Sequence, residues 1–299
     1  MHERASTGIK GFDQMIDMLR MGDNVVWQVD SIEDYRYMTE AYIAQAKRDR
    51  RNMIYIRFAS HEPVLRDTEG IQVCEVDSGQ GFEAFASQIR DIITEAGLDA
   101  FYVFDSLTFL LDAWHSDLMI GNFFQVTCPY LYELNTVAYF ALIRNAHTYD
   151  TIARIRETTQ LLLELYHIEG NYYVHPLKVW QRYSPTMFLP HLLKEQEAVS
   201  ITASAETAEL FSNLVYRETK RDYWEEIVKS CADARSGGEE LRRKSACFWS
   251  FLWGKTPGFT TSVWIILHWR TWSGSLTGKL AAVISAERAW VCFWPAGCW

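Results

Sequence analysis

Short apolar runs alternate with amphipathic stretches of helical length along the first 150 residues, and few folds accept that alternation. Asp23 to Val29 (DNVVWQV) follows a turn at Gly22 and reads as a strand. After it, Ile32, Tyr35, Met38, Tyr42, Ile43 and Ala46 recur every three or four residues, while Glu33, Asp34, Arg36, Glu40, Gln45 and Lys47 take the opposite face, which predicts a helix. Asn52 to Phe58 and Gly70 to Val76 read as further strands. Phe82, Phe85, Ile89, Ile92 and Ile93 mark a second helix that Gly97 can close. Phe101 to Phe104 is a fully apolar strand, Tyr130 to Leu134 ends another helix, and Thr136 to Ile143 (TVAYFALI) is apolar enough for the interior. Strands buried on both sides with helices between them specify a three-layer α/β domain: a mostly parallel sheet with helices on both faces.

The pattern then changes. Gln160 to Ile168 and Tyr172 to Tyr183 flank the turn Glu169-Gly170-Asn171 and predict a closing β-hairpin. Pro185, Pro190 and the polar run after Leu193 mark residues 189–232 as a linker followed by a helix-compatible segment. All fifteen tyrosines lie at or before Tyr223, whereas eight of the twelve tryptophans lie at or after Trp249, so the two ends are built in different styles. Residues 233–299 are Trp-rich, lack a sustained helix or strand period, and read as an atypical tail, out of frame or unstructured. Lys255, Pro257 and Arg270 interrupt its apolar runs, which argues against a membrane span.

Charge and cysteine usage narrow the partners. Residues 1–230 carry 21 basic and 34 acidic side chains, a balance of -13 that disfavours DNA or an anionic bilayer. The six cysteines are scattered without a C-x-x-C pair and no signal-peptide pattern precedes them, so neither a disulfide framework nor a cysteine zinc site is expected and the cytoplasm is the expected compartment.

The opening Ser6-Thr7-Gly8-Ile9-Lys10-Gly11-Phe12-Asp13, followed by Gly22-Asp23-Asn24-Val25-Val26 and a helix, resembles the start of a RecA-like P-loop ATPase domain of the KaiC class. Tyr102-Val103-Phe104-Asp105-Ser106-Leu107 resembles that family's Walker B strand, Asn52 to Phe58 the strand before it, and Gln160 to Tyr183 its terminal hairpin, so the resemblance covers residues 6–188. Arg144-Asn145-Ala146-His147 and the stretch from Ile152 to Trp180 narrow it to the KaiC-like region found ahead of pyruvate-phosphate dikinase or phosphoenolpyruvate synthase modules in prokaryotic proteins. The later catalytic modules of such proteins are not recognisable in this sequence.

Against that resemblance stands the segment after the first strand. A phosphate loop needs glycines, a lysine and a hydroxyl. Asp30 to Met38 (DSIEDYRYM) has no glycine and no lysine, and it sets three carboxylates where a polyanion would sit. Arg36, Asp105 and Ser106 are therefore the candidate residues of a degenerate nucleotide site. Arg36 either approaches phosphate from the helix start or pairs with Glu33 or Glu40. Asp105 matches the family's magnesium-holding carboxylate and is expected exposed at the strand end, or as a polar cap there. Ser106 either bonds Asp105 or caps the following turn. Glu62 is the candidate displaced general base, with a surface turn at Pro63 as its alternative. His147, His167 and His175 lack metal spacing, and Arg154, Arg156, Lys178 and Arg182 form either an anion-binding edge or intramolecular pairs.

The expectation is a RecA-like structural or regulatory module that binds a protein partner or itself and does not hydrolyse nucleotide, associated with a phosphotransfer enzyme. No catalytic residue, metal or cofactor is expected. ATP and magnesium enter only under the alternative of a truncated ATP-dependent phosphotransferase related to phosphoenolpyruvate synthase. A second alternative is an oligomeric signalling or nucleic-acid-associated module.

Overall fold

The computed structural model describes residues 3–215. A two-stranded antiparallel ribbon, β1 (Arg4–Ala5) with β2 (Leu19–Arg20), brackets helix α1 (Lys10–Ile16). Then come β3 (Asn24–Val29), α2 (Ile32–Arg48), β4 (Met53–Arg57), β5 (Gln72–Glu75), α3 (Phe82–Ala96) and β6 (Phe101–Ser106). Helices α4 (Leu110–Trp114) and α5 (Asp117–Glu133), strand β7 (Val137–Ile143), helix α6 (Tyr149–Thr158), and strands β8 (Leu161–Ile168), β9 (Asn171–Val179), β10 (His191–Lys194) and β11 (Glu197–Ser200) follow, and residues 204–215 are helical.

Nine strands form the main sheet in the order β11-β10-β9-β8-β3-β7-β6-β4-β5. Strands β8, β3, β7, β6, β4 and β5 are parallel, and β9, β10 and β11 continue antiparallel from β8. The fold is thus α/β, with a largely parallel sheet flanked by helices and an antiparallel ending. Side-chain alternation sorts the core into two layers. Val25, Trp27 and Val29 face α1 and α2 together with Phe12, Met38 and Tyr42, whereas Val26, Ile54 and Phe104 face α3, α5 and α6 together with Ile89, Phe123 and Ile155. A third cluster seats Leu210 and Leu214 of the terminal helical residues on Tyr166 and Ile168 of β8.

The predicted strands and the first two helices lie where their apolar periods put them. The segment at 191–200, read from sequence as linker, is instead a hairpin hydrogen-bonded to β9. Its turn residue Gln196 accepts the Gly11 amide through its carbonyl (2.7 Å) and the Lys10 amide through its side chain (3.2 Å). A β-carbon on Gly11 would lie 2.0 Å from the Ala198 nitrogen, so only glycine lets α1 and this hairpin meet. The Trp-rich stretch at 233–299 lies outside the described residues.

In the opening motif, Asp13 works as a local tie. Its carboxylate accepts the Thr7 amide and the Thr7 hydroxyl, both at 2.7 Å, and the Ser6 hydroxyl. Gly8, at φ +89°, approaches the Ala41 carbonyl so closely that a β-carbon would sit 2.1 Å from its oxygen. This segment therefore fixes α2 against the front of the domain.

Candidate functional site

In a parallel sheet the loops leaving the C-terminal strand ends are where ligands bind. Here the relevant ends are those of β3, β4, β6 and β7.

β3 ends at Val29 and α2 begins at Ile32, so Asp30 and Ser31 alone make the connection. Ser31 is extended (φ -146°) and caps the helix: its hydroxyl oxygen accepts the Asp34 amide at 3.2 Å and donates to the Asp34 carboxylate at 2.8 Å. Asp34 also lies 3.3 Å from His167 Nδ1, and Asp30 lies 3.1 Å from the buried Arg144 guanidinium. Arg144 is held in turn by the Leu165 carbonyl (2.6 Å) and by the Tyr166 ring, 4.0 Å below it. The positive end of α2 is thus met by the chain's own carboxylates, Glu33 and Asp34 in its first turn.

Arg36 turns away from that end. Its Nε donates to the Val64 carbonyl (2.9 Å), one terminal nitrogen to the Pro63 carbonyl (2.8 Å) and the other to Glu33. Of the two roles read from sequence for Arg36, the structure brings about the pairing with Glu33.

Of the two readings of Asp105 from sequence, exposed at the strand end or a polar cap there, the structure overturns the first: Asp105 is fully buried. β6 is buried along its whole length and carries a bulge: Val103 pairs with Tyr139 but Ser106 pairs with Ala141, so three steps on β6 match two on β7. Asp105 falls within this irregular stretch and accepts the amides of Phe58 and Ala59, each at 3.0 Å, and the hydroxyl of Tyr55. The Tyr55 oxygen also accepts the Val64 amide at 2.9 Å. Burial first, and then the Asp105 charge, push the Tyr55 phenol far above its ordinary range, so it stays protonated and donates. Arg36, Val64, Tyr55 and Asp105 therefore form one continuous hydrogen-bonded chain that fastens residues 58–64.

Ser106 takes neither role expected of it. Its hydroxyl donates to the Ala141 carbonyl (3.4 Å), it makes no side-chain cap, and its amide donates to His61 Nε2 (3.2 Å). His61 Nδ1 lies 2.6 Å from the Glu62 carbonyl oxygen, and Phe109 packs on the ring's edge. Glu62 itself is exposed.

Sequence reading missed a second cluster, at the ends of β6 and β7. The Ile143 amide donates to Thr108 Oγ1 (2.8 Å), the same oxygen is hydrogen-bonded to His147 Nε2 (2.7 Å), and His147 Nδ1 donates to Asp117 (2.6 Å). Asp117 further accepts the Thr148 amide (2.8 Å) and hydroxyl (2.6 Å). Burial raises the Asp117 carboxyl, but the hydrogen bonds from Thr148 and His147 together outweigh it and bring it down to about 2. His147 was visible as a polar residue after an apolar strand; nothing local links it to Asp117, thirty positions earlier.

The basic residues of the hairpin edge are committed to the fold. Lys178 donates to the Arg156 and Glu157 carbonyls at the end of α6, and Arg156 donates to the Leu177 carbonyl at 3.3 Å. Arg154 lies over Gly121, where a β-carbon would come within 3.2 Å of its side chain. Arg182 is buried against Asp23 and donates to the Met18 carbonyl at 2.9 Å. His175 pairs with Glu164 at 3.0 Å.

These residues do not fit magnesium and a triphosphate. The strand-to-helix connection is too short to wrap a phosphate, three carboxylates surround it, and the acceptors of Asp105 face three donors of the fold. Among the described residues no three His, Cys, Asp or Glu side chains stand together as metal ligands, and no helix is long and apolar enough to cross a membrane. No family model matches the chain, and no curated protein matches it.

Proposed function

We propose that the sheet domain is a RecA-like module that has kept a nucleotide-binding framework and exchanged its ligand contacts for internal ones, acting as a structural or regulatory protein-interaction module. The observation that carries this reading is the two-residue Asp30-Ser31 connection, capped by Ser31 and closed by Asp34. It is supported by Asp105, whose carboxylate holds the 58–64 segment where a metal ligand would have to remain open. The resemblance to regions preceding phosphotransfer modules makes such an enzyme, on the same or another polypeptide, the natural partner. Self-association is the other way for the module to act, and light scattering tests it.

Isothermal titration of Mg-ATP into the full chain tests the reading directly. The expected result is no heat of binding in the micromolar range. Micromolar binding abolished by Asp105→Asn in a folded protein would overturn it.

A further inference from the structure

Thr108, His147 and Asp117 stand in line. Thr108 Oγ1 lies 2.7 Å from His147 Nε2, and His147 Nδ1 lies 2.6 Å from Asp117. Both spacings fall within the reach required of a hydroxyl nucleophile, its base and the group that orients the base. The fold places them where parallel sheets present ligands, beyond the carboxyl ends of neighbouring strands. Thr108 sits in the single 3-10 turn Leu107–Phe109 that carries the chain from β6 toward α4. Asp117 is the first residue of α5, and His147 follows β7, the neighbour of β6, and directly precedes Thr148, the α6 cap.

Each member is held for such a role. The His147 imidazole is buried, Thr108 is half-buried, and the Asp117 side chain is 20% exposed. The second Asp117 oxygen accepts the Thr148 amide (2.8 Å) and hydroxyl (2.6 Å), which fixes the carboxylate against the ring. With Nδ1–H on Asp117, the neutral ring presents Nε2 as acceptor for the Thr108 hydroxyl proton. The Ile143 amide donates to the same hydroxyl oxygen at 2.8 Å. That bond holds the hydroxyl in place, stabilises negative charge developing on it and leaves one lone pair for attack. A clasp between loops needs only the contacts. A buried base between a half-buried hydroxyl and a fixed carboxylate is also the arrangement that takes a proton from the hydroxyl as it attacks.

We infer that Thr108 is an acyl-accepting nucleophile, with His147 as its general base and Asp117 as the positioning residue, and that the site cleaves uncharged carboxylic esters. Thr108 Oγ1 attacks the ester carbonyl carbon while its proton passes to His147 Nε2. The bond from that carbon to the alcohol oxygen then breaks, and the alcohol leaves with the proton from His147, giving an acyl ester on Thr108. Water, giving a proton to His147, attacks the acyl carbon and releases the carboxylic acid and the free hydroxyl. The surroundings set the substrate's charge: exposed Asp112 on α4 and Asp150 on α6, with Asp117, repel an anionic acyl donor, while exposed Leu118 and Tyr149 offer apolar surface. This activity is separate from the reading of the β3–α2 connection and stands or falls without it.

The full chain incubated with p-nitrophenyl acetate tests this, read by p-nitrophenolate release and by peptide mass spectrometry. The expected result is a burst of p-nitrophenolate and an acetyl group on Thr108. His147→Gln lowers acetylation of Thr108 by about 100-fold or more. Asp117→Asn lowers the maximal acylation rate and leaves unchanged the ester concentration that gives half of it, a split that loss of fold would not produce. Thr108→Ser keeps the burst and Thr108→Val loses it. No acetyl group on Thr108 of the parent chain, or equal acetylation of Thr108 in a folded His147→Gln protein, would overturn the inference and leave the three residues as a clasp. The parent result decides the matter even where a variant fails to fold.

Discussion

The Tyr55 hydroxyl donates to the Asp105 carboxylate while accepting the Val64 amide, so a residue of β4 and a residue of β6 hold one loop between them. A carboxylate engaged in this way is a structural acceptor. Removing the phenol hydroxyl breaks a hydrogen bond to a charged group and strands the Val64 amide. Tyr55→Phe is therefore expected to lose about 3 kcal/mol of unfolding free energy, measured by urea titration. Equal stability of variant and parent would show the brace idle.

Arg36 closes the other end of that brace through the Val64 and Pro63 carbonyls. Two acceptors and one carboxylate around a single guanidinium suit its planar fork, which an ammonium cannot reproduce. Arg36→Lys is expected to destabilise by about 1–3 kcal/mol and to raise hydrogen exchange at residues 58–66 above that of the rest of the sheet. A uniform rise across the sheet would argue that Arg36 supports the fold at large and that the 58–64 segment has no special dependence on it.

Much of the scaffold was legible because it rests on local periodicity. Val25 to Trp27 and Val137 to Leu142 are apolar and buried on both faces, and the Tyr35, Met38 and Tyr42 stripe fixes the side of α2 that is buried. The site was less legible because its partners are distant in sequence. Asp105 can be read as an exposed strand end or a polar cap there until Phe58 and Ala59, 47 and 46 positions earlier, present their amides to it. The hairpin at 191–200 was missed because HLLKEQEAVS follows two prolines and carries a polar turn. The signal for it lay in Gly11, whose missing side chain makes sense only once a second backbone lies against α1.

Asp117 provides a pH-dependent test. Its folded-state value, about 2, lies below the ordinary aspartate value of about 3.9, so it adds stability above pH 4 that is lost as the pH falls toward 2. Glu164, also lowered as its hydrogen bonds from His175 and Tyr166 outweigh burial, acts with the same sign. Asp117→Asn is expected to flatten the acid limb of the stability curve and to cut proton uptake on unfolding between pH 4 and 2 by about one. An unchanged acid limb would place the His147 and Thr148 hydrogen bonds outside the energetics of folding.

Three glycines separate close packing from backbone strain. Gly70, at φ +71°, has open space around it, so Gly70→Ala meets only the left-handed penalty of about 1 kcal/mol. Gly11 has no such backbone strain but abuts the hairpin, and Gly11→Ala must push the Glu197-Ala198 backbone away, at about 1–3 kcal/mol, while breaking the Gln196 contacts. Gly8 combines both demands, and Gly8→Ala is expected to be the most damaging of the three. Hydrogen exchange distinguishes the causes: only Gly11→Ala should release the amides of residues 191–200 while leaving those of β3 and β7 protected. Protection of 191–200 unaltered in that variant would mean that the hairpin is held by β9 alone and that its contact with α1 contributes nothing.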